Sequence, residues 1–240
     1  MAAEEIVPGI HGLLISRYVS VFFIVDSDVT LIDSGPPKKQ DMISHALRSI
    51  QSHGRLHNIA ITHRHVDHIG SLGRLVEDSG AQVYAHPLEA PIIRGDAPNY
   101  LSFRDKVAPK ALAAITGVFI ARNAEPASVN HEVSDGEQLP IAGGLRAIYT
   151  PGHTRGHVSY LLSRKEGNVL FVGDATANFF GRMGTWGFAF SDDSSQIKPS
   201  LRKLATLDFE VACFGHGRAL RGHANLDFRR MVEKTASAGH

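Results

Sequence analysis

Thr62-His63-Arg64-His65-Val66-Asp67-His68-Ile69-Gly70 stands between a short apolar run, residues 57–62 (HNIAIT), and a helix-patterned run, residues 69–80 (IGSLGRLVEDSG). Four side chains able to hold a metal fall within the six positions from His63 to His68. Alternate side chains of an extended chain share a face, so His63, His65 and Asp67 are expected to project together, with His68 turned toward a second centre. Imidazole with carboxylate suits zinc, iron and manganese. The apolar flanks argue against a surface loop that is merely polar.

Four donors do not complete two metal sites, and three more candidates stand where predicted strands end. His153 follows residues 145–150 (LRAIYT), Asp174 follows the apolar run 168–173 (NVLFVG), and His216 follows residues 210–215 (EVACFG). Strand ends are rigid supports beside loops and position ligands well. Each of the three alone is weak evidence, and their order along the chain is what gives them weight.

The rest of the chain frames these positions. Residues 9–16, 19–25 and 29–35 read as short strands separated by polar turns. Residues 37–54 carry Met42, Ile43, Ala46, Leu47 and Ile50 at helical spacing, and Gly54 is expected to stop that helix. Residues 81–85 (AQVYA) and 158–163 (VSYLLS) read as strands. Helices are expected over residues 194–208 and 223–239. Residues 87–128 hold five prolines and an alanine-rich helical piece over 110–121, and are expected to form an insertion over the sheet edge or the site. Residues 178–190 (NFFGRMGTWGFAF) read as a loop. Groups of strands alternating with helices suggest two sheets packed face to face with helices outside. No linker is visible, so residues 1–240 are expected to form one domain.

With 240 residues, 43% of them hydrophobic, the chain can bury a full core. A formal net charge of +1 argues against an electrostatic nucleic-acid binder, without excluding small anionic substrates. No run of 18 apolar residues is present, so no membrane span is expected. The start, MAAEEIVPGIHG, lacks the basic and apolar regions of a secretory signal. Cys213, the single cysteine, sits in an apolar run and reads as buried and reduced. Together these features lead to the expectation of a cytoplasmic protein. Of the 14 histidines, His157 reads either as a substrate or second-layer contact or as a structural residue opening the next strand. His86 reads as structural or second-layer.

The set THRHVDHIG, TPGHTRGH, FVGDA and FGHG, with LIDSG around Asp33, resembles the metallo-β-lactamase superfamily over nearly the whole chain. The resemblance implies an α/β (α+β) fold, a four-layer αββα sandwich of two mixed sheets with the metals at one edge. It implies one ion on His63, His65 and His153, a second on Asp67, His68 and His216, and Asp174 bridging the two. Asp33 would hydrogen-bond a ligand histidine, fixing its tautomer. The cofactor is then two divalent ions, zinc first, with iron or manganese accepted by the same donors. Two ions roughly 3.5–4 Å apart can share one hydroxide, so hydrolysis without a covalent intermediate is expected. Asp67 could orient the hydroxide and pass its proton to the leaving group.

Within that superfamily the residues narrow the reaction. A bridging aspartate in GDA differs from the usual β-lactamase pattern. Only 41 residues separate Asp174 from His216, too few for the insertion of the β-CASP nucleases. His65 stands where flavodiiron proteins carry Glu. Only 24 residues follow His216, so the extra helical domain of glyoxalase II is expected to be absent. Ala177 replaces the Tyr of acyl-homoserine lactonases. What remains resembles the stand-alone glyoxalase II-like and lactonase-like hydrolases, which cleave an ester, thioester or lactone of a small acyl substrate.

Phe179, Phe180, Arg182 and Trp186 are expected either to wall a substrate pocket or to pack on the body or on a second copy in a homodimer. Tyr100, Leu101 and Phe103 are candidates for a lid. Phosphodiester hydrolysis is one alternative, with Arg64, Arg155 and Arg182 as phosphate clamps. A mononuclear iron persulfide dioxygenase is another, and a metal-binding protein without turnover is a third.

Overall fold

Strands β1 (Glu4–Val7), β2 (Ile10–Leu14), β3 (Ser20–Val25) and β4 (Val29–Ile32) form an antiparallel meander. β5 (Leu56–Ala60), β6 (Gln82–Ala85) and β7 (His131–Glu132) extend it in parallel, giving a seven-stranded sheet in sequence order. Parallel neighbours need crossovers, and helices supply them. These are α1 (Gln40–Ile50), α2 (Val66–Ile69), α3 (Leu72–Ser79) and α4 (Ala90–Arg94). The second sheet has six strands in the order β15-β14-β11-β10-β9-β8. Its members are β8 (Gln138–Leu139), β9 (Leu145–Tyr149), β10 (Val158–Leu162), β11 (Val169–Gly173), β14 (Val211–Phe214) and β15 (Leu220–Arg221). A separate hairpin, β12 (Ala177–Phe179) and β13 (Arg182–Gly184), follows β11. Helices α5 (Ser194–Ala205) and α6 (Ala224–Ser237) complete the chain. The computed structural model describes residues 2–16, 18–50, 55–99, 124–184 and 191–237.

Three apolar clusters separate four layers. The first packs Ile43 and Ala46 of α1, Leu72 and Leu75 of α3, and Ala90 and Ile93 of α4 against Val21, Phe23, Leu31 and Val83. The second lies between the sheets, where Phe22, Ile24 and Ile32 meet Tyr160, Phe171 and Cys213. The third packs Leu201 and Leu204 of α5 and Phe228 of α6 against Leu170 and Val172. Successive side chains of a strand point to opposite faces, and both faces here are covered. That is why β3 and β11 read as continuous apolar runs rather than alternating ones. The αββα expectation is therefore met, and Cys213 is buried as expected.

Two local expectations need correction. Residues 69–80 read as one helix; in the structure helix already begins at Val66, breaks at Gly70 and resumes at Leu72. Residues 178–190 read as a loop. Their described part is a hairpin whose turn, Phe180-Gly181, has φ 54° and 75°. Two positive φ values match the twist of the flanking strands, but the sequence points away from this because Phe is an uncommon residue there. The described ends of the 87–128 segment belong to the body. Ala90, Ile93 and Ala127 join the first cluster, while Glu89 and Asn99 reach the ligand loop at Arg64. The helix expected over 110–121, and Tyr100, Leu101 and Phe103, lie outside the described residues. Among the described residues no helix is long and apolar enough to cross a membrane.

Phe171 touches both sheets through its fully buried ring, tilted against Phe22 at 5.8 Å. Phe171→Ala is expected to lower unfolding free energy by about 3–5 kcal/mol, measured by urea denaturation in chelator. A loss under about 1 kcal/mol would mean the two sheets can close on the cavity.

Candidate metal centre

Five strand ends meet at one edge of the sandwich. β4 runs parallel to β5, and β11 to β14. β9 and β11 both run antiparallel to β10, so they share a direction. Asp33, Thr62–His68, Thr150–His157, Asp174 and Gly215–His216 follow these ends. Cross-sheet bonds lock the edge. Val158 N–H donates to Thr62 O at 2.9 Å, Tyr160 O–H to Ile61 O at 2.9 Å, and Ser20 N–H to Gly215 O at 2.9 Å.

All seven candidate donors converge here. His63, His65 and His153 form one group, Asp67, His68 and His216 another, and His63, His68 and Asp174 a third that overlaps both. His65 Nδ1 and His153 Nε2 face each other at 2.9 Å. Asp174 Oδ2 lies 3.4 Å from His153 Nε2, 4.0 Å from His63 Nε2 and 3.1 Å from His216 Nε2. Asp174 Oδ1 lies 3.5 Å from His68 Nε2, and Asp67 Oδ2 lies 3.2 Å from His216 Nε2. The expectation that His63, His65 and Asp67 share one extended face is corrected. The extended backbone ends at His65 (ψ 145°), and Asp67 and His68 stand on α2. Helical turning carries both toward His216.

Hydrogen bonds assign the histidine tautomers. Asp33 accepts from Thr62 N–H and Thr62 O–H, each at 2.8 Å, and from His68 Nδ1 at 2.9 Å. Thr62 has one hydroxyl proton, and Asp33 takes it. Thr62 Oγ1 must then accept from His63 Nδ1, 3.0 Å away. One carboxylate therefore turns the Nε2 atoms of both His63 and His68 to the centre. Those two nitrogens and Asp174 Oδ1 are buried without a hydrogen-bond partner among the described residues. Orphaned buried acceptors are rare, and a divalent cation is what this donor set fits. Asp33 also holds φ 59°, a conformation that costs free energy outside glycine.

His157 lies beneath the centre, fully buried. Its Nε2 accepts Asp174 N–H at 2.9 Å and its Nδ1 donates to Thr150 Oγ1 at 2.8 Å. Thr150 Oγ1 is 3.0 Å from Ser159 Oγ, which donates to Val172 O at 2.9 Å. Burial pushes the His157 pKa down to about 3. With both nitrogens engaged, His157 supports Asp174 and does not face a substrate, which corrects that reading. Gly215 has a steric reason: a Cβ there would collide with Asp174 Oδ1 and His68 Cε1.

The two donor groups differ in charge. Burial holds His63, His65 and His153 below the usual histidine range. Burial also opposes charge on His68 and His216, but Asp174 and Asp67 outweigh it. They raise His68 well above its ordinary value and His216 to about 10. Both carboxylates are held low in turn by His68 and His216, against burial.

Other candidates fall elsewhere. Arg64 is not a free phosphate clamp, because its guanidinium is bound bidentately to Asp192, at 2.9 Å on each side. His86 stacks on Tyr149 at 4.6 Å. Phe179 packs edge-to-face on Tyr18 at 5.5 Å, and both flank the His216 loop through Gly217 N–H to Tyr18 O and Asn178 N–H to His216 O. Phe180 is 91% exposed at the hairpin tip, and Arg182 is exposed beside it. Trp186 lies outside the described residues. Sequence reading missed Tyr18, Thr62, Thr150 and Glu89. Thr62 stands inside the quoted motif, and only its neighbours' roles could flag it.

Imidazole and carboxylate donors gathered at the edge of two packed sheets define a metal-dependent hydrolase. Residues 15–216 match the model of the metallo-beta-lactamase superfamily, and the chain belongs to that superfamily. It is 29% identical over 237 residues to the probable metallo-hydrolase YflN of Bacillus subtilis, covering 92% of this chain and 88% of that one. It is also 29% identical over 193 residues to a hydroxyacylglutathione hydrolase of Shewanella pealeana, covering 79% of this chain and 56% of that enzyme. Among solved structures, a Cronobacter sakazakii metallo-beta-lactamase with an HARLDQ motif superposes with TM-score 0.71. It is 20% identical and covers 99% of this chain and 92% of that one.

Asp33→Asn keeps the shape of the side chain but turns one acceptor into a donor. Zinc affinity is expected to fall about 10- to 100-fold, read by competition with a chelating indicator. Unchanged affinity would mean that Asp33 does not set the imidazoles.

Proposed function

We propose that the protein is a dinuclear hydrolase that cleaves an ester, thioester or lactone of a small acyl substrate. The observation that carries this reading is the meeting of two donor groups on Asp174. His63, His65 and His153 would hold one divalent ion, Asp67, His68 and His216 the other, and Asp174 would reach both. Zinc is the proposed metal; iron and manganese suit the same donors. Bound ions supply an activated water and Lewis acidity toward the substrate carbonyl.

The remaining work falls to the chain. The Asp67 side chain is 40% exposed, the most open of the donors that make ion pairs at the centre. Its carboxylate therefore stands where water and substrate arrive, and Oδ2 would take the attacking water's proton and return it to the leaving group. Tyr18 and Phe179 offer an apolar edge beside His216 for an acyl group. The thioester class is supported by the hydroxyacylglutathione hydrolase relative. This chain spans just over half of that enzyme's length, so its particular substrate is not carried over. The engagement of Arg64 by Asp192 weighs against the phosphodiester alternative. The complete Asp67, His68 and His216 group weighs against a single iron.

The deciding test is metal content of protein purified without chelator, followed by a panel of thioesters, lactones and a chromogenic phosphodiester. Two metals per chain with acyl cleavage are expected. A single iron with oxygen uptake on a persulfide, or phosphodiester cleavage alone, would overturn the proposal. Asp67→Asn with both ions retained is expected to lower kcat about 100-fold, and full turnover would remove Asp67 from the proton path.

The charge difference between the groups gives a pH signature. Protons are favoured on this group: His216 has its pKa raised to about 10, and Asp174 and Asp67 shift His68 in the same direction. Ligation requires neutral imidazole, so a cation entering that group must displace those protons. Affinity of that group should therefore rise with pH up to about 10. Calorimetric titration in buffers of differing ionisation enthalpy should show net proton release at pH 7. No release would contradict this charge assignment.

A further inference from the structure

Glu89 is a carboxylate only 1% exposed, in the segment whose sequence reads as an insertion over the sheet edge or the site. Its Oε1 accepts Gly156 N–H at 2.7 Å and its Oε2 accepts Arg64 N–H at 2.9 Å. Arg64 lies between His63 and His65. Gly156 lies in the loop that carries His153. A Cβ at Gly156 would run into the Glu89 carboxylate, so the contact depends on glycine. The Arg64 guanidinium returns 3.6 Å from Glu89 Oε2 while gripping Asp192 with both nitrogens. Asp192 Oδ2 accepts Arg155 N–H at 3.0 Å, and Asp192 N–H donates to His153 O at 2.9 Å. Every bond in this network ends on a loop bearing His63, His65 or His153. None of these bonds reaches Asp67, His68 or His216.

We propose that Glu89, held by the Arg64–Asp192 pair, is a positioning residue that staples the two loops carrying His63, His65 and His153 and so sets the geometry of that one metal group. The inference rests on the two-metal reading above. Fold stability alone does not account for the network, because a buried ion pair replaced by apolar side chains is often neutral or stabilising. The two backbone amides that Glu89 accepts are instead those whose separation fixes how far His153 stands from His63 and His65. Its counterpart is Asp33, which acts on the imidazole orientation of His68 directly and of His63 through Thr62.

Glu89→Gln keeps the volume and leaves Arg64 paired with Asp192, but its amide nitrogen would face one of the two N–H donors. The experiment places this substitution in two backgrounds, His216→Ala, which leaves only the His63 group, and His153→Ala, which leaves only the His68 group. Zinc affinity is read by indicator competition, with folding checked by circular dichroism. The expected result is a 10- to 100-fold loss in the His216→Ala background and a change under about twofold in the other. Equal loss in both, or loss in neither, overturns the proposal. Should Glu89→Gln fail to fold, Asp192→Asn keeps both Glu89 backbone bonds. A smaller loss confined to the His63 group is then expected, and loss shared by both groups overturns the proposal. If the unsubstituted protein binds no zinc, the two-metal reading fails first, which separates the two outcomes.

Discussion

The Asp174 carboxylate is the constraint around which this edge of the molecule is built. It is buried, lies within 4.0 Å of a ring nitrogen of His63, His68, His153 and His216, and leaves Oδ1 without a hydrogen bond among the described residues. Burying an ionised group is costly unless charge and geometry compensate. The compensation reaches back into the fold. Its backbone amide is fixed by His157, His157 by Thr150, and Thr150 by Ser159 on the neighbouring strand. Across from it, Gly215 has no side chain because the space is taken. Residues distant in sequence thus carry consequences of one carboxylate's position.

The charge division between the two donor groups follows from the same placement. Burial outweighs the neighbouring Asp174 at His63 and His153 and holds them low, whereas at His68 and His216 the combined pull of Asp174 and Asp67 outweighs burial and raises them. The structure thereby offers one group whose imidazoles are held low and one whose imidazoles are raised. Under the two-metal proposal, the second group would be sensitive to pH and the first to backbone geometry, which are different vulnerabilities.

The fold is legible in the sequence where physical signals are local. β3 and β11 can be read because both faces are covered, and α1 because Met42, Ile43, Ala46, Leu47 and Ile50 share one face. Four of the seven proposed donors are readable from their density between His63 and His68, and the other three because each follows a strand end. The hairpin at Phe180 escapes sequence reading because a left-handed Phe carries no signal, unlike Asn or Gly. The reach of the extended segment is overestimated because α2 is a single turn, too short for periodicity to show. Glu89 is invisible for a stronger reason. Its partners are backbone amides, 25 and 67 residues away, and backbone groups leave no trace in composition or spacing.

Arg64 shows how structure can reverse a functional reading without changing any residue's identity. By position, an arginine inside the ligand motif is a natural anion clamp. By geometry its charge is already bound on both sides by Asp192, with Glu89 beside it, so it belongs to the scaffold of the loops. With Arg64 no longer counted among the anion binders, the described part of the centre has Tyr18 and Phe179 as large side chains flanking the His216 side. Under the proposed acyl hydrolysis, an apolar acyl group would meet a surface of its own kind, whereas a phosphodiester would find the Arg64 charge already paired with Asp192.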